Sequence, residues 1–374
     1  MISSRTYNNF KITGQGIIFR TASGLQAYYP RVVSLGGQEL LASFVASKTI
    51  ESSDSHPEFA RSLDGGKTWM TEGPLCTVST DPVAPPEFGF ISLAADGSLF
   101  YRGTQFAIDP AWPDLPLVNP KTIGMRDCRI ILRQSLDKGR TWTKSLALSK
   151  PYPVPLELPT GILALNSGAL ILSCSTWREW DGKCPYGHRV TLIRSDDDGK
   201  NWQGPFDIFH DPSGRLGFWE ARIVELGNDK LLATCWAHDW QTDQDLPNYF
   251  ALSNDDGRTW SEAGATPVNG QTAWPMRLDD EHVLLVYNHR RAPVGVRAQV
   301  AAISGGRWHT VNDGEIWTPE ERKTGKISKD DYAVVHFQFG APSAILISPD
   351  TFLAVYWCVS GGRAGINWSL GRLE

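Results

Sequence analysis

The stretch Ser62-Leu-Asp-Gly-Gly-Lys-Thr-Trp69 decides the fold of this 374-residue chain, because its pattern returns three more times. The other copies are Ser135-Leu-Asp-Lys-Gly-Arg-Thr-Trp142, Ser195-Asp-Asp-Asp-Gly-Lys-Asn-Trp202 and Ser253-Asn-Asp-Asp-Gly-Arg-Thr-Trp260. The copies start 73, 60 and 58 positions apart. Such a period indicates one supersecondary unit repeated around or along an axis.

Each copy follows a β-rich run and is typical of a hairpin turn. The Asp side chain can accept hydrogen bonds from backbone N–H groups across the turn, and the Gly supplies a positive φ. The Thr-Trp pair, Asn-Trp in the third copy, opens the next strand with a large ring that can be buried between units.

A second pattern, two apolar strands joined by a short turn, occurs six times and predicts six blades with strands buried on both faces. The blades begin near residues 28, 87, 156, 218, 272 and 338. Residues 10–19 would add the missing outer strand of the last blade and close the ring. The sequence therefore predicts an all-β fold, one six-bladed β-propeller of four-stranded antiparallel blades that spans residues 1–374.

Composition narrows the class of partner. The net charge is −5 and no Lys/Arg block occurs, which argues against a nucleic-acid surface. The first ten residues lack an apolar signal core and no 18-residue apolar run occurs, so we expect no membrane partner and a cytoplasmic location. The six cysteines lack C-x-x-C spacing and predict reduced thiols, and no metal and no cofactor is expected. The oligomeric state stays open.

The repeated turn is an Asp-box, and the whole chain resembles the sialidase (neuraminidase) superfamily of Asp-box, or BNR-repeat, β-propellers. In that family the boxes lie on the face away from the site, so the resemblance implies a structural role for the four turns. Antiparallel strands put alternate connections at opposite ends. The opposite face, where first strands begin and second strands end, is therefore the predicted site.

The side chains predicted on that face combine aromatic rings, guanidinium groups and carboxylates, which suit a sugar or oligosaccharide that stacks and forms many hydrogen bonds. We predict that the substrate contacts Tyr29, Arg31, Lys48, Glu87, Arg102, Trp177, Arg178, Trp219, Arg222, Asp239, Gln271, His289, Arg290, Arg297 and His336.

At the chemically active positions the resemblance is incomplete. A sialidase holds its substrate carboxylate with three arginines; here Tyr28 takes the place of the first, the second is absent near residues 248–249, and Arg297 matches the third. The segment at 337–343 offers no nucleophilic tyrosine.

The two family carboxylates are matched. The acid/base Asp aligns with Asp54, and the Glu that activates the family tyrosine aligns with Glu220. In a retaining mechanism Tyr28 or Tyr29 could serve as a relocated nucleophile.

Three functions follow as hypotheses. The leading one is a sialidase-like, exo-acting glycoside hydrolase for a small, anionic or otherwise decorated glycoside, with Asp54 and Glu220 as acid/base pair. The second is a lyase that eliminates a sugar from a uronate, with His238, Tyr28 or Tyr249 as base or acid and Arg297 neutralising the uronate. The third is a sugar-binding propeller without chemistry.

Overall fold

The computed structural model describes residues 7–21, 24–75, 85–109, 111, 116–227, 229–319 and 337–374. Across these ranges the regular structure consists of β-strands in six antiparallel sheets, which confirms the predicted six-bladed β-propeller. Within the same ranges the chain forms no helix with the length and hydropathy needed to cross a membrane.

The sheets follow one another along the chain, one sheet for each blade. Blade one contains β2 (Gln26–Ser34), β3 (Leu40–Ser47), β4 (His56–Ser62) and β5 (Met70–Pro74). Blade two contains β6 (Glu87–Leu93), β7 (Leu99–Phe106), β8 (Cys128–Ser135) and β9 (Leu146–Leu148). Blade three contains β10 (Leu156–Glu157), β11 (Leu163–Ala164), β12 (Leu170–Thr176), β13 (Val190–Ser195) and β14 (Gln203–Phe209).

The second half repeats this arrangement. Blade four contains β15 (Leu216–Gly227), β16 (Lys230–Asp239), β17 (Gln244–Ser253) and β18 (Gly264–Ala265). Blade five contains β19 (Gln271–Arg277), β20 (His282–His289), β21 (Gly295–Ser304) and β22 (Arg307–Trp317). Blade six contains β23 (Phe339–Ser348), β24 (Thr351–Ser360), β25 (Arg363–Leu373) and, as its outer strand, β1 (Phe10–Phe19).

The sixth blade closes the ring. Strand β1 pairs antiparallel with β25, with Phe10 opposite Leu373 and Phe19 opposite Ile366. The first strands of neighbouring blades contact one another, so they lie innermost around the axis. The apolar core lies between blades; one cluster joins Leu40 and Phe44 of blade one to Leu353 and Trp357 of blade six. This packing on both faces explains why the strands are apolar throughout.

The four S-x-D turns, residues 62–69, 135–142, 195–202 and 253–260, share one hydrogen-bond pattern. In the first, Asp64 accepts bonds from the backbone N–H groups of Lys67 (3.0 Å) and Thr68 (2.9 Å) and from the Thr68 hydroxyl (2.6 Å). The Trp69 indole N–H bonds the Gly66 carbonyl at 2.9 Å. These donors lower the pKa of the Asp64 carboxyl to about 2. The turns thus hold the third and fourth strands of blades one to four together.

Candidate active site

A cavity lies on the propeller axis, where the first strands of blades one to four and of blade six line it. Its wall is mostly apolar on the side of blade two and of the segment that follows β7, and the other walls combine apolar groups with carboxylates and guanidinium groups. The apolar lining consists of Phe88, Phe90, Phe106, Leu117, Val118, Met125, Leu156, Leu158, Pro159 and Ala341, and the polar lining of Tyr29, Arg31, Glu51, Thr104, Glu157, Glu220 and Arg222.

The same β-bulge occurs in the first strand of four blades and positions much of this lining. In each case three residue steps along the first strand pair with two steps along the second strand. In blade four, for example, Trp219 pairs with Trp236 and the next pair is Arg222 with Thr234. One extra residue in the first strand then adopts a positive φ. These residues are Tyr29 (56°), Glu220 (54°), Thr272 (52°) and Ala341 (46°). A bulge re-aims the side chain of its extra residue, here toward the axis.

Glu157 and Glu220 form the centre of the polar wall. A carboxylate oxygen of Glu157 accepts the backbone N–H of Glu220 at 3.0 Å and the hydroxyl of Ser175 at 3.0 Å. The carboxylate of Glu220 accepts the hydroxyl of Thr272. Burial, together with the charge of Glu220, raises the pKa of Glu157 to about 7. Glu157 can therefore hold a proton near neutral pH inside the cavity.

Blade one faces blade four across the axis and contributes a second acidic pair. The Tyr29 hydroxyl donates to the Glu51 carboxylate at 3.1 Å. Burial raises the pKa of Glu51, although the hydrogen bond from Tyr29 acts in the opposite direction. Burial and the charge of Glu51 also raise the pKa of Tyr29, so this hydroxyl remains a hydrogen-bond donor.

Two buried arginines close the cavity at its inner end. Arg31 donates to the carbonyls of Pro30 (2.6 Å) and Pro159 (2.5 Å), and its guanidinium lies 4.4 Å from the ring centroid of Phe90. Arg222 donates to the carbonyl of Glu220 at 2.9 Å. Both arginines also line a second cavity on the side of the S-x-D turns. They therefore divide the axial space into two compartments.

Of the predicted site residues, four line the cavity: Tyr29, Arg31, Glu220 and Arg222. Asp54, predicted as half of the catalytic pair, does not. Its short side chain caps the loop after β3 instead, because it accepts the backbone N–H of Lys48 (3.1 Å) and the hydroxyl of Ser52 (2.5 Å). The same loop directs Glu51 to the cavity, while Lys48 is exposed.

Three further predicted residues serve the packing of the blades. Tyr28 is buried edge-on against Trp357, with ring centroids 5.2 Å apart, and burial raises its pKa to about 12. Glu87 accepts hydrogen bonds from Tyr101, Gln105 and Arg133 within blade two. The fully buried Arg102 donates to the carbonyls of Leu158 and Thr160, which ties blade two to blade three.

Predicted residues at the outer strands and loops also lie outside the cavity lining. The guanidinium of Arg297 pairs with Asp313, with its Nε at 3.1 Å. Asp239 pairs with Arg215 at 2.6 Å. The imidazole Nδ1 of His289 lies 2.7 Å from the carbonyl oxygen of Pro293. His336 lies outside the described residues.

The other predicted residues come together beside the cavity. We call the aromatic group at blades three and four the tryptophan cluster; it consists of Trp177, His188, Trp219, Trp236, His238 and Trp240. Arg178 lies 4.6 Å from the Trp240 ring centroid. The His238 Nδ1 contacts Asp245 at 3.0 Å, and Asp245 also accepts from Gln271, which in turn accepts from Arg290.

The tryptophan cluster is linked to the cavity by the covalent chain and by a backbone hydrogen bond. Trp219 precedes Glu220 directly, and the Arg178 carbonyl accepts the backbone N–H of Met125, a cavity residue. Burial, helped by the charge of Arg178, lowers the pKa of His188 to about 4. His188 is therefore neutral near pH 7 and packs among these rings as an uncharged group.

Sequence reasoning missed Glu51, Glu157 and Thr272. For Glu157 a signal exists, because it stands between two leucines of a buried strand, where an unpaired carboxylate is costly. Glu51 and Thr272 carry no comparable signal. Among the described residues, no group of three or more His, Cys, Asp or Glu is arranged to hold a metal ion.

Comparison with known proteins supports the architecture. A family model described as BNR repeat-like domain matches residues 115–324. A solved structure of unknown function from Dyadobacter fermentans is 18% identical, with 98% of this chain and 99% of that chain covered and a TM-score of 0.76. No protein among the curated ones matches the sequence.

Two further solved structures have names that describe an enzyme. An α-L-arabinanase from Penicillium chrysogenum, complexed with arabinobiose, is 16% identical over 96% of this chain and 98% of that chain, with a TM-score of 0.65. A sialidase from Trypanosoma rangeli, in complex with sialic acid, is 13% identical over 99% of this chain and 58% of that chain, with a TM-score of 0.63. At these identities the likeness shows the fold.

Proposed function

We propose that this chain, which belongs to the BNR repeat-like domain family, is an exo-acting glycoside hydrolase with Glu157 and Glu220 as its catalytic carboxyl groups. The observation that carries the proposal is the placement of these two carboxyl groups side by side in one cavity. Glu157 has a pKa raised to about 7, and Glu220 accepts a hydrogen bond from Thr272. Glycoside hydrolysis needs such a pair, one carboxyl that supplies a proton and one that does not.

The protonated carboxyl of Glu157 acts as general acid. It transfers its proton to the glycosidic oxygen as the bond from that oxygen to the anomeric carbon breaks. Glu220 then either attacks the anomeric carbon or removes a proton from the water that does so, and the two routes differ in the anomer released. Tyr29 and Glu51, on the facing wall, hold the sugar through its hydroxyl groups.

The closed inner end of the cavity supports exo action. Arg31 and Arg222 fill the axis between the two compartments, so a polysaccharide cannot pass through. A cavity closed at its inner end suits the terminal residue of a glycoside or oligosaccharide, bound above these arginines.

The charges of the lining favour a neutral sugar over sialic acid or a uronate. Three carboxyl groups, Glu51, Glu157 and Glu220, face the cavity with two guanidinium groups. Both nitrogen termini of Arg31 are engaged by backbone carbonyls, and Arg297 is paired with Asp313 outside the lining. An anionic substrate would meet three carboxyl groups against two guanidinium groups, so the lining offers it no excess of positive charge. The apolar wall of Phe88, Phe90 and Phe106 suits the face of a sugar ring.

The test is a hydrolysis screen of the purified protein against aryl glycosides of neutral pentoses and hexoses, sialosides and uronate oligosaccharides. Released sugar and unsaturated product are read together. We expect release of a neutral sugar that falls about 1000-fold or more in both Glu157→Gln and Glu220→Gln. Glu225→Gln is the matched control, because Glu225 lies on the same strand as Glu220 but bonds Asn166 outside the cavity lining.

Turnover that survives both substitutions would overturn the assignment of the two carboxyl groups. Unsaturated product from a uronate substrate would establish the lyase alternative instead. Binding of a sugar without any turnover by the wild-type protein would support a non-catalytic propeller.

A further inference from the structure

Thr272 is a buried residue whose backbone conformation is unfavourable for its type. Its φ is +52°, and the side chain is only 4% exposed. A β-branched residue at positive φ is a steric outlier, which costs stability that glycine at the same position would not. The surrounding bulge has the same geometry in blades one, four and six, where Tyr29, Glu220 and Ala341 occupy the equivalent position.

The one interaction that distinguishes threonine at this position is the hydroxyl bond to Glu220. The hydroxyl of Thr272 donates to the Oε2 of Glu220. The chain on either side is fixed, because the Gln271 side chain bonds Asp245 (3.0 Å) and Arg290 (2.5 Å), and the indole of Trp274 bonds the carbonyl of Ala344 (2.9 Å). The hydroxyl is therefore held at a defined point behind the carboxylate.

Glu220 itself lies on a bulge, so its side chain extends from a strained backbone into an open cavity. Its backbone is fixed by Glu157, which accepts its N–H, and by Arg222, which donates to its carbonyl. Thr272 supplies the side-chain contact from the neighbouring blade. A catalytic carboxylate that can rotate away from the reacting carbon loses much of the rate gained from orientation.

We propose that Thr272 is a positioning residue that holds Glu220 in its reactive orientation, and that the strained threonine is retained for this bond. The inference rests on the proposed function, since it assigns Thr272 a role through Glu220. It goes beyond that function by making blade five, which contributes no residue to the cavity lining among the described residues, part of the catalytic apparatus.

The experiment compares Thr272→Val, which keeps the shape and the β-branch but removes the hydroxyl, with Thr272→Ser, which keeps the hydroxyl. We expect Thr272→Val to lower kcat by about 10- to 100-fold with KM changed less than about threefold. Thr272→Ser should restore kcat to within about threefold of wild type. A structural role alone would lower the melting temperature of both without this split.

The matched control is Thr191→Val. Thr191 is a fully buried strand threonine whose hydroxyl donates to the Phe206 carbonyl at 2.8 Å, outside the cavity lining. We expect its kcat to remain that of wild type. Thr272→Gly is a second variant that removes both the hydroxyl and the strain, and it should be as slow as Thr272→Val but more stable to heat.

Equal kcat for Thr272→Val and wild type, with Glu220→Gln inactive, would overturn the role of Thr272 alone. Full activity of Glu220→Gln would overturn the proposed function on which it rests. Loss of activity in Thr272→Ser as severe as in Thr272→Val would also refute the hydroxyl bond as the cause.

Discussion

Replacing Glu157 by Gln should abolish catalysis and yet stabilise the fold at alkaline pH. In the folded chain the pKa of Glu157 is raised from 4.5 to about 7, mainly by burial. Below pH 4.5 this carboxyl is protonated in the folded and the unfolded chain, so it imposes no penalty. Between pH 4.5 and 7 the unfolded chain releases the proton first, so stability falls as pH rises.

The size of the effect follows from the shift. One pKa unit corresponds to 1.36 kcal/mol, so the charged form of Glu157 costs the fold up to about 3 kcal/mol above pH 7. This is an upper figure, because part of the side chain contacts solvent. Gln cannot ionise, and its carbonyl oxygen can still accept the N–H of Glu220 and the hydroxyl of Ser175.

The assay is urea denaturation of wild type and Glu157→Gln at pH 4 and pH 8.5. We expect the variant to be more stable by about 2–3 kcal/mol at pH 8.5 and equal to wild type within about 0.5 kcal/mol at pH 4. The exposed Glu262→Gln serves as control and should show the same difference from wild type at both pH values. A pH-independent difference for Glu157→Gln, or a variant less stable at pH 8.5, would refute the reasoning.

Three further outcomes are expected. Glu51→Gln should lower kcat/KM by about 10-fold or more while Asp54→Asn changes it by less than about threefold, because Glu51 lines the cavity and Asp54 caps a loop. A larger effect of Asp54→Asn than of Glu51→Gln would support Asp54 as the catalytic residue instead. Arg31→Met should lower the free energy of unfolding by about 2–4 kcal/mol, since two buried carbonyls lose their donor. Thermal denaturation, with the exposed Arg140→Met as control, would detect this loss. An unchanged melting temperature would contradict a structural role for Arg31 at the inner end of the cavity. The pKa of Asp137 is lowered to about 2, chiefly by Thr141, so its stabilisation is present above pH 3.8 and is lost as pH falls through 2. The melting temperatures of wild type and Asp137→Ala should therefore differ at pH 5 and converge toward pH 2, and a constant difference would contradict this.

The fold could be predicted because its determinants are local and repeated. Each S-x-D turn encodes its own hydrogen bonds within eight residues, and the apolar strands between turns can be buried only against neighbouring blades. Six blades built in this way can hide their open edges by closing into a ring. The cytoplasmic location rests on sequence alone and stays a prediction.

The site could be predicted only in part because it depends on bulges. Side chains along a strand alternate between its two faces with a period of two. An extra residue in a bulge, such as Glu220, breaks this alternation and directs its side chain toward the axis. Alignment by motif found Glu220 but placed the blade-one carboxylate at Asp54, three residues from Glu51. Arg102 and Glu87 have the chemistry of site residues, and only the fold shows that Arg102 bonds carbonyls of blade three and that Glu87 bonds side chains of its own blade.

The strand that closes the ring sets a minimum time for assembly of the propeller. Lys11 on β1 and Glu374, which follows β25, form an ion pair across 363 positions, and β1 has no other strand partner in the described fold. At about 5–20 residues per second of synthesis, β1 waits roughly 20–70 s before its partner exists. During this interval β1 and the side of blade one that packs against blade six lack their cover. In this period a chaperone could bind them, and two nascent chains could exchange strands.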